Sequence, residues 1–227
     1  MINDKIENWC PMNEPEEWDI SDISEIHEEY ARRNLNKITE LLSQAQKEIL
    51  ILGLVGYGPI HESPNEIINL INNRKGIVKI LIGNPKSDYF IDRMLREKDE
   101  QKSSLHQYNA AYAEIAHIYS QLSNENQFNL QIREYTDLEC DLSLQIIDQM
   151  EMYVNIRKNA DGLRCFDSPM FKIYRKRLAQ KLSFNFYFGL FEKVWNDPST
   201  NVVDLYEKKW RSICKNGKHE KIPLGDY

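Results

Sequence analysis

The stretch Asp141-Leu142-Ser143-Leu144-Gln145-Ile146-Ile147-Asp148 decides how the rest of the chain is read. Polar and apolar residues alternate through it. On a pleated strand Asp141, Ser143 and Gln145 therefore share one face, with Leu142, Leu144 and Ile146 on the other. That period alone predicts an ordinary half-exposed strand. Asp148-Gln149-Met150 breaks the pattern before a second strand-like run, Glu151 to Ile156. The two runs predict an antiparallel pair with a tight connection.

Upstream lie two runs with no alternation, Glu48 to Leu54 and Ile77 to Ile82, the mark of strands buried on both faces. Between them, Ser63-Pro64-Asn65-Glu66 combines a capping box with proline at the first helical position, and predicts a helix to about Arg74. Strand, helix, strand predicts parallel pairing through a right-handed crossover. Ile23, Ile26, Tyr30, Leu35, Ile38, Leu41 and Leu42 recur at helical spacing, so a helix is expected from Ile20 to about Gln46. A long helical stretch is expected over 87–123, broken near Lys102–Ser104, and a third strand over Phe128 to Tyr135. A helix is expected from Ser168-Pro169 to Trp195, ended by Asp197-Pro198, with a last one from Val203 to Ile213. These elements predict an α/β fold, a mixed, mostly parallel sheet flanked by helices. The expected domains are an acidic arm (1–20), the α/β domain (21–200) and a C-terminal helix with a basic tail (201–227).

Composition narrows the class. The chain has 227 residues, 41% of them hydrophobic, with 12 tyrosines, 8 phenylalanines and 4 tryptophans, enough for one sizeable core. No apolar run reaches the length of about 18 residues needed to span a membrane, and residues 1–7 lack the pattern of a signal peptide. Cys10, Cys140, Cys165 and Cys214 are scattered, which fits reduced thiols in the cytoplasm rather than zinc or a disulfide framework. Residues 1–30 hold ten acids against Lys5 alone, a net of -9; with -6 for the whole chain, the remainder carries +3. Such an arm, with Trp9, Met12 and Trp18, is suited to docking on a basic surface or a protein partner.

Candidate chemistry is sparse. Gly53-x-x-Gly56-x-Gly58 follows a strand, as phosphate-cradling loops do, but Pro59, His61 and Pro64 break the spacing of the nucleotide fingerprints, so a glycine turn is the plainer reading. His61 lies where open α/β sheets bind ligands, beyond the carboxyl end of a strand. His106, Glu114 and His117 fall near one helical stripe, yet no second helix offers matching ligands, and no metal or other cofactor is expected. Lys172, Arg175, Lys176, Arg177 and Lys181 form one basic group, and Lys208, Lys209, Arg211, Lys215, Lys218 and Lys221 another. Both read first as solvated faces; phosphate or nucleic-acid binding is the alternative, with which the acidic arm would compete.

The order of elements, with the spacing of Asp141, Ser143 and Asp148, resembles one repeat of the phospholipase D superfamily over about 45–200. Its signature is His-x-Lys-x-x-x-x-Asp. Here Asp141 stands at the nucleophilic histidine, Ser143 at the phosphate-binding lysine, and Asp148 alone is kept. Residues 146–154 resemble the site strand, aspartate turn and following strand, and Phe184 to Trp195 the aromatic closing helix of degenerate members linked to bacterial regulators. Without an attacking imidazole or a cation for the equatorial oxygens, the resemblance implies an inactive binding or sensing module, regulatory and homodimeric. Its cleft would take a small anionic, phosphorylated ligand, lined by Asp141, Ser143, Asp148, His61, Gly56 and Gly58. Two alternatives remain. One is a phosphodiesterase or nuclease using a metal held by Asp141 and Asp148, although the two fall on opposite strand faces. The other is a protein–protein interaction module acting through the arm.

Overall fold

The computed structural model describes residues 23–27, 35–96, 104–136, 142–156, 170–175, 182–203 and 205. In chain order these form β1 (Ile23–His27), α1 (Leu35–Gln44), β2 (Glu48–Gly53), α2 (Tyr57–Glu62), α3 (Pro64–Arg74) and β3 (Ile77–Gly83). Then come α4 (Asp88–Arg96), α5 (Ser104–Gln121), a 3-10 turn (Asn124–Asn129), β4 (Leu130–Tyr135), β5 (Leu142–Ile147) and β6 (Glu151–Ile156). β7 (Met170–Tyr174), α6 (Leu182–Trp195) and β8 (Asn201–Val202) complete the described elements. None of the described helices is long and apolar enough to cross a membrane.

The strands form one mixed sheet in the order β1-β7-β6-β5-β2-β3-β4-β8. A mixed sheet flanked by helices is what the sequence predicts, but the balance of pairings differs. Only β2–β3 and β3–β4 are parallel, and the other five pairs are antiparallel. The parallel triplet follows from the helical crossovers after β2 and β3. Its neighbour β5 runs the other way, and the β5–β6 turn is tight enough to join antiparallel strands directly. Asp148 (φ 49) and Gln149 (φ 56) are both left-handed there, and the Met150 amide closes the turn on the Ile147 carbonyl at 2.9 Å.

Two further expectations change. Residues 23–27 are a strand paired with β7, because Ile23 and Ile26 fit a short strand as well as a helix, and the partner strand decides. Residues 170–174 are likewise a strand, held between β6 and β1, where Ser168-Pro169 suggests a helix start. The long helical stretch is two helices, and the strand expected from Phe128 begins at Leu130 after the 3-10 turn. The last expected helix lies almost wholly outside the described residues.

Each face of the sheet has its own core. Ile49, Ile51, Val78, Ile80, Ile82, Leu130 and Ile132 meet Ile38, Leu41, Ile60, Ile67, Leu70, Tyr112 and Ile115 from α1, α2, α3 and α5. Opposite, Leu50, Leu52, Leu81, Leu144, Ile146, Met152 and Val154 meet Phe184, Leu190, Phe191, Val194 and Trp195 of α6. β5 is thus buried on both faces rather than half-exposed.

Candidate functional site: a polar strip in an apolar sheet

Leu142, Leu144 and Ile146 enter the α6 core, so pleating turns Ser143 and Gln145 to the other face. The β5–β6 register sets Asn155 directly beside Ser143. All three polar side chains are buried: Ser143 is 4% exposed, Gln145 and Asn155 0%. The Gln145 Nε2 donates to Ser143 Oγ at 2.8 Å, while the Gln145 Oε1 accepts no hydrogen bond. A buried carboxamide oxygen left in that state costs about 1–3 kcal/mol. Gly53, at the end of β2, lies beside Ser143. A Cβ there would lie 3.6 Å from Ser143 Oγ, in ordinary contact.

The next row on the same face runs from Gln145 to Tyr153 on β6 and Lys172 on β7. Lys172 Nζ lies 3.7 Å from Glu151 Oε2, 4.9 Å from the Tyr174 ring centre and 5.8 Å from that of Tyr153. Burial works against its charge. A hydrogen bond with Tyr174 and the negative charges of Tyr153, Tyr174 and Glu151 outweigh burial, and hold the ammonium above its ordinary range. The neighbouring carboxylate of Glu151 balances Lys172, so the strip gains no net positive charge from it.

Of the other predicted residues Gly56 comes near Ser143, since a Cβ on Gly53 would lie 3.5 Å from the Gly56 amide nitrogen and 3.6 Å from Ser143 Oγ; Asp148 does not. Asp148 lies five residues on, about 17 Å at strand spacing, at the opposite end of the sheet. Its Oδ1 accepts the amides of Lys47 (2.7 Å) and Glu48 (2.9 Å), and its Oδ2 that of Gln46 (2.8 Å). Its own amide donates to the Glu48 carbonyl at 3.0 Å. Asp148 is therefore committed to tying the β5–β6 turn to the start of β2. Asp141 lies outside the described residues. His61, on α2, stacks on Tyr57 with ring centres 4.7 Å apart, and its Nδ1 is 3.6 Å from Glu114 Oε2 on α5. Burial, then the charges of Glu62 and Glu114, raise the Tyr57 phenol above its ordinary value.

Gly56 has a backbone reason for being glycine: its φ is +61°, and a Cβ would meet Ile82 Cγ2 at 2.9 Å. Gly58 lies within α2. Glu114 faces His61 rather than joining a metal set, and among the described residues no three His, Cys, Asp or Glu side chains are placed to hold a metal. Gln145 was visible in the sequence as a face-mate of Ser143. Asn155 was not, because only the register brings it there.

No family model and no curated protein matches the chain. Among solved structures, it is similar to TrmBL2, an archaeal chromatin protein whose structure shows a novel mode of DNA binding. Identity is 17% and the TM-score 0.46, over 86% of this chain and 59% of that one. It is similar to Nuc, a phospholipase D family member from Salmonella typhimurium, with 11% identity and a TM-score of 0.43 over 74% of this chain and 89% of Nuc. Phosphatidylserine synthase from Haemophilus influenzae Rd KW20 gives 15% and 0.49, over 78% of this chain and 39% of the synthase. The chain thus spans little more than half of the archaeal protein and well under half of the synthase. Likeness at this level transfers no activity or partner to this chain.

Proposed function

We propose that this chain is a non-catalytic, phospholipase-D-like binding module of regulatory character, and that the Ser143–Gln145–Asn155 strip is its recognition surface. The observation that carries this reading is the buried Gln145 carboxamide with its oxygen unsatisfied in a sheet otherwise packed with isoleucine and leucine. Leucine would fit that sheet at lower cost, so a polar pair retained there has a use. Catalysis is poorly supported by the same atoms. The hydrogen-bond partner of Ser143 Oγ is a carboxamide, which cannot take its proton as a general base would. Lys172 is engaged with Glu151 rather than poised over a phosphate. Homodimerisation, implied by the family resemblance, belongs to the same proposal.

The test is native mass spectrometry of the protein purified gently from its expression host, beside the double variant Ser143→Ala/Gln145→Leu. Retained small-molecule mass on the parent chain and its loss from a folded variant supports the reading. Equal retention by both, or by neither, overturns it.

A further inference from the structure

The chain leaves the sheet along the outer edge of β4. β8 is antiparallel to β4 and sets Asn201 against Glu134 and Val202 against Arg133. One residue further on, the Val203 amide donates to the Ile132 carbonyl at 3.0 Å, so the path runs back toward Leu130. Val203 and Leu205 pack, partly buried, against the core on the helix-covered face. Continued past Leu205, that direction leads to the 3-10 turn before β4, where Phe128 stands with 71% of its surface exposed. A lone exposed phenylalanine needs no explanation. This one lies in the path of a segment with an apolar stripe of its own.

We propose that residues 206–215 form a helix that packs Tyr206, Trp210 and Ile213 against Phe128 and covers the outer edge of β4. The three side chains fall at i, i+4 and i+7, one face of a helix, with Lys208, Arg211 and Lys215 on the other. A helix this short is marginal in water by itself, so burial of its stripe is what makes it form. The packing leaves the three cations hydrated, which avoids the cost of burying charge. It also shields an edge that the two residues of β8 cover only in part, and a bare edge is a template for unwanted pairing. No linker separates the segment from Leu205. Docking on its own body is therefore intramolecular, at an effective concentration of millimolar order, and is favoured over docking on a second copy. The contact is independent of the polar strip, which lies on β5 and β6, with β2 and β3 between it and β4.

Trypsin reads the contact directly. It cuts after Lys208, Lys209 and Arg211, and a docked helix is cut only in the fraction of time that it opens. In the full chain these bonds should be cut more slowly than in a free peptide of residues 203–216. Phe128→Ala should speed the cleavage about tenfold, and Trp210→Ala by a similar factor. The double variant should be no faster than either single one, since both substitutions remove the same contact. Circular dichroism checks that each variant keeps its fold, as expected for a side chain as exposed as Phe128. Cleavage as fast as in the free peptide overturns the proposal. So does a Phe128→Ala rate equal to that of the parent chain, or a double variant in which the two effects multiply. Protection that grows with protein concentration would place the helix on a second copy, and overturns it equally.

Discussion

Two residues of the opening motif carry opposite burdens. Asp148 is structural: it accepts three amides from residues about a hundred positions away while holding a left-handed backbone. Asp148→Ala should lower unfolding free energy by about 3 kcal/mol, combining lost charge-assisted hydrogen bonds with a strained φ. Asp148→Asn keeps one acceptor oxygen and tolerates that φ, so about half the loss is expected. Urea unfolding monitored by circular dichroism separates the two. Ser143 and Gln145 contribute no such stability. Removing both partners together orphans neither of them, so Ser143→Ala/Gln145→Leu should be neutral or more stable by up to about 1 kcal/mol. A clear loss of stability would show the pair to be structural. The alternation that aims both side chains at one face is legible in the sequence. The burden on Asp148 is not, because its partners are far away in the chain.

At the scale of elements, α6 is fixed to the sheet by its C-terminal end. The Arg133 guanidinium lies 4.5 Å from the Trp195 ring centre and donates to the Trp195 carbonyl, one of the acceptors that a helix leaves open at that end. Lys79 lies 5.6 Å from the same ring and is paired with Glu48 at 3.3 Å. Arg133→Ala should therefore cost about 2 kcal/mol in urea unfolding, and Arg133→Lys should recover only part, since ammonium lacks the planar fork. A cost below about 0.5 kcal/mol would mean that aromatic packing alone docks the helix. The aromatic run of α6 is plain in the sequence, and so is the buried character of β2 and β3. Residues 23–27 and 170–174 mislead because five-residue runs carry too few periods to tell strand from helix, and pairing settles them.

At the scale of the molecule, Lys172 on β7 and Tyr112 on α5 shape the response to alkali. Lys172 is held above its ordinary range, so folding favours its charged form. Tyr112 is pushed well above 10, first by burial, then by the charges of Tyr108 and Glu134 and by hydrogen bonding with both, so folding favours its neutral form. Both groups bind protons more tightly when folded. Their stabilisation is fully present below the unfolded values of about 10, and is lost as pH rises through the folded ones. Stability should hold to about pH 10 and then fall, and Lys172→Met should make that fall shallower. Urea midpoints measured between about pH 8 and 11.5 check this; an unchanged slope in the variant would remove Lys172 from the account.

By itself the sequence determined the strand period, the Asp148 turn and the two buried central strands. These follow from local backbone geometry, which repeats every two residues in a strand and every 3.6 in a helix. Only the tertiary structure decided that β5 is buried on both faces, that Asn155 stands beside Ser143, that Asp148 serves the start of β2, and that most strand pairs run antiparallel. Each of these depends on which distant segment supplies the missing hydrogen bond or covers the exposed face, and no local period encodes that choice.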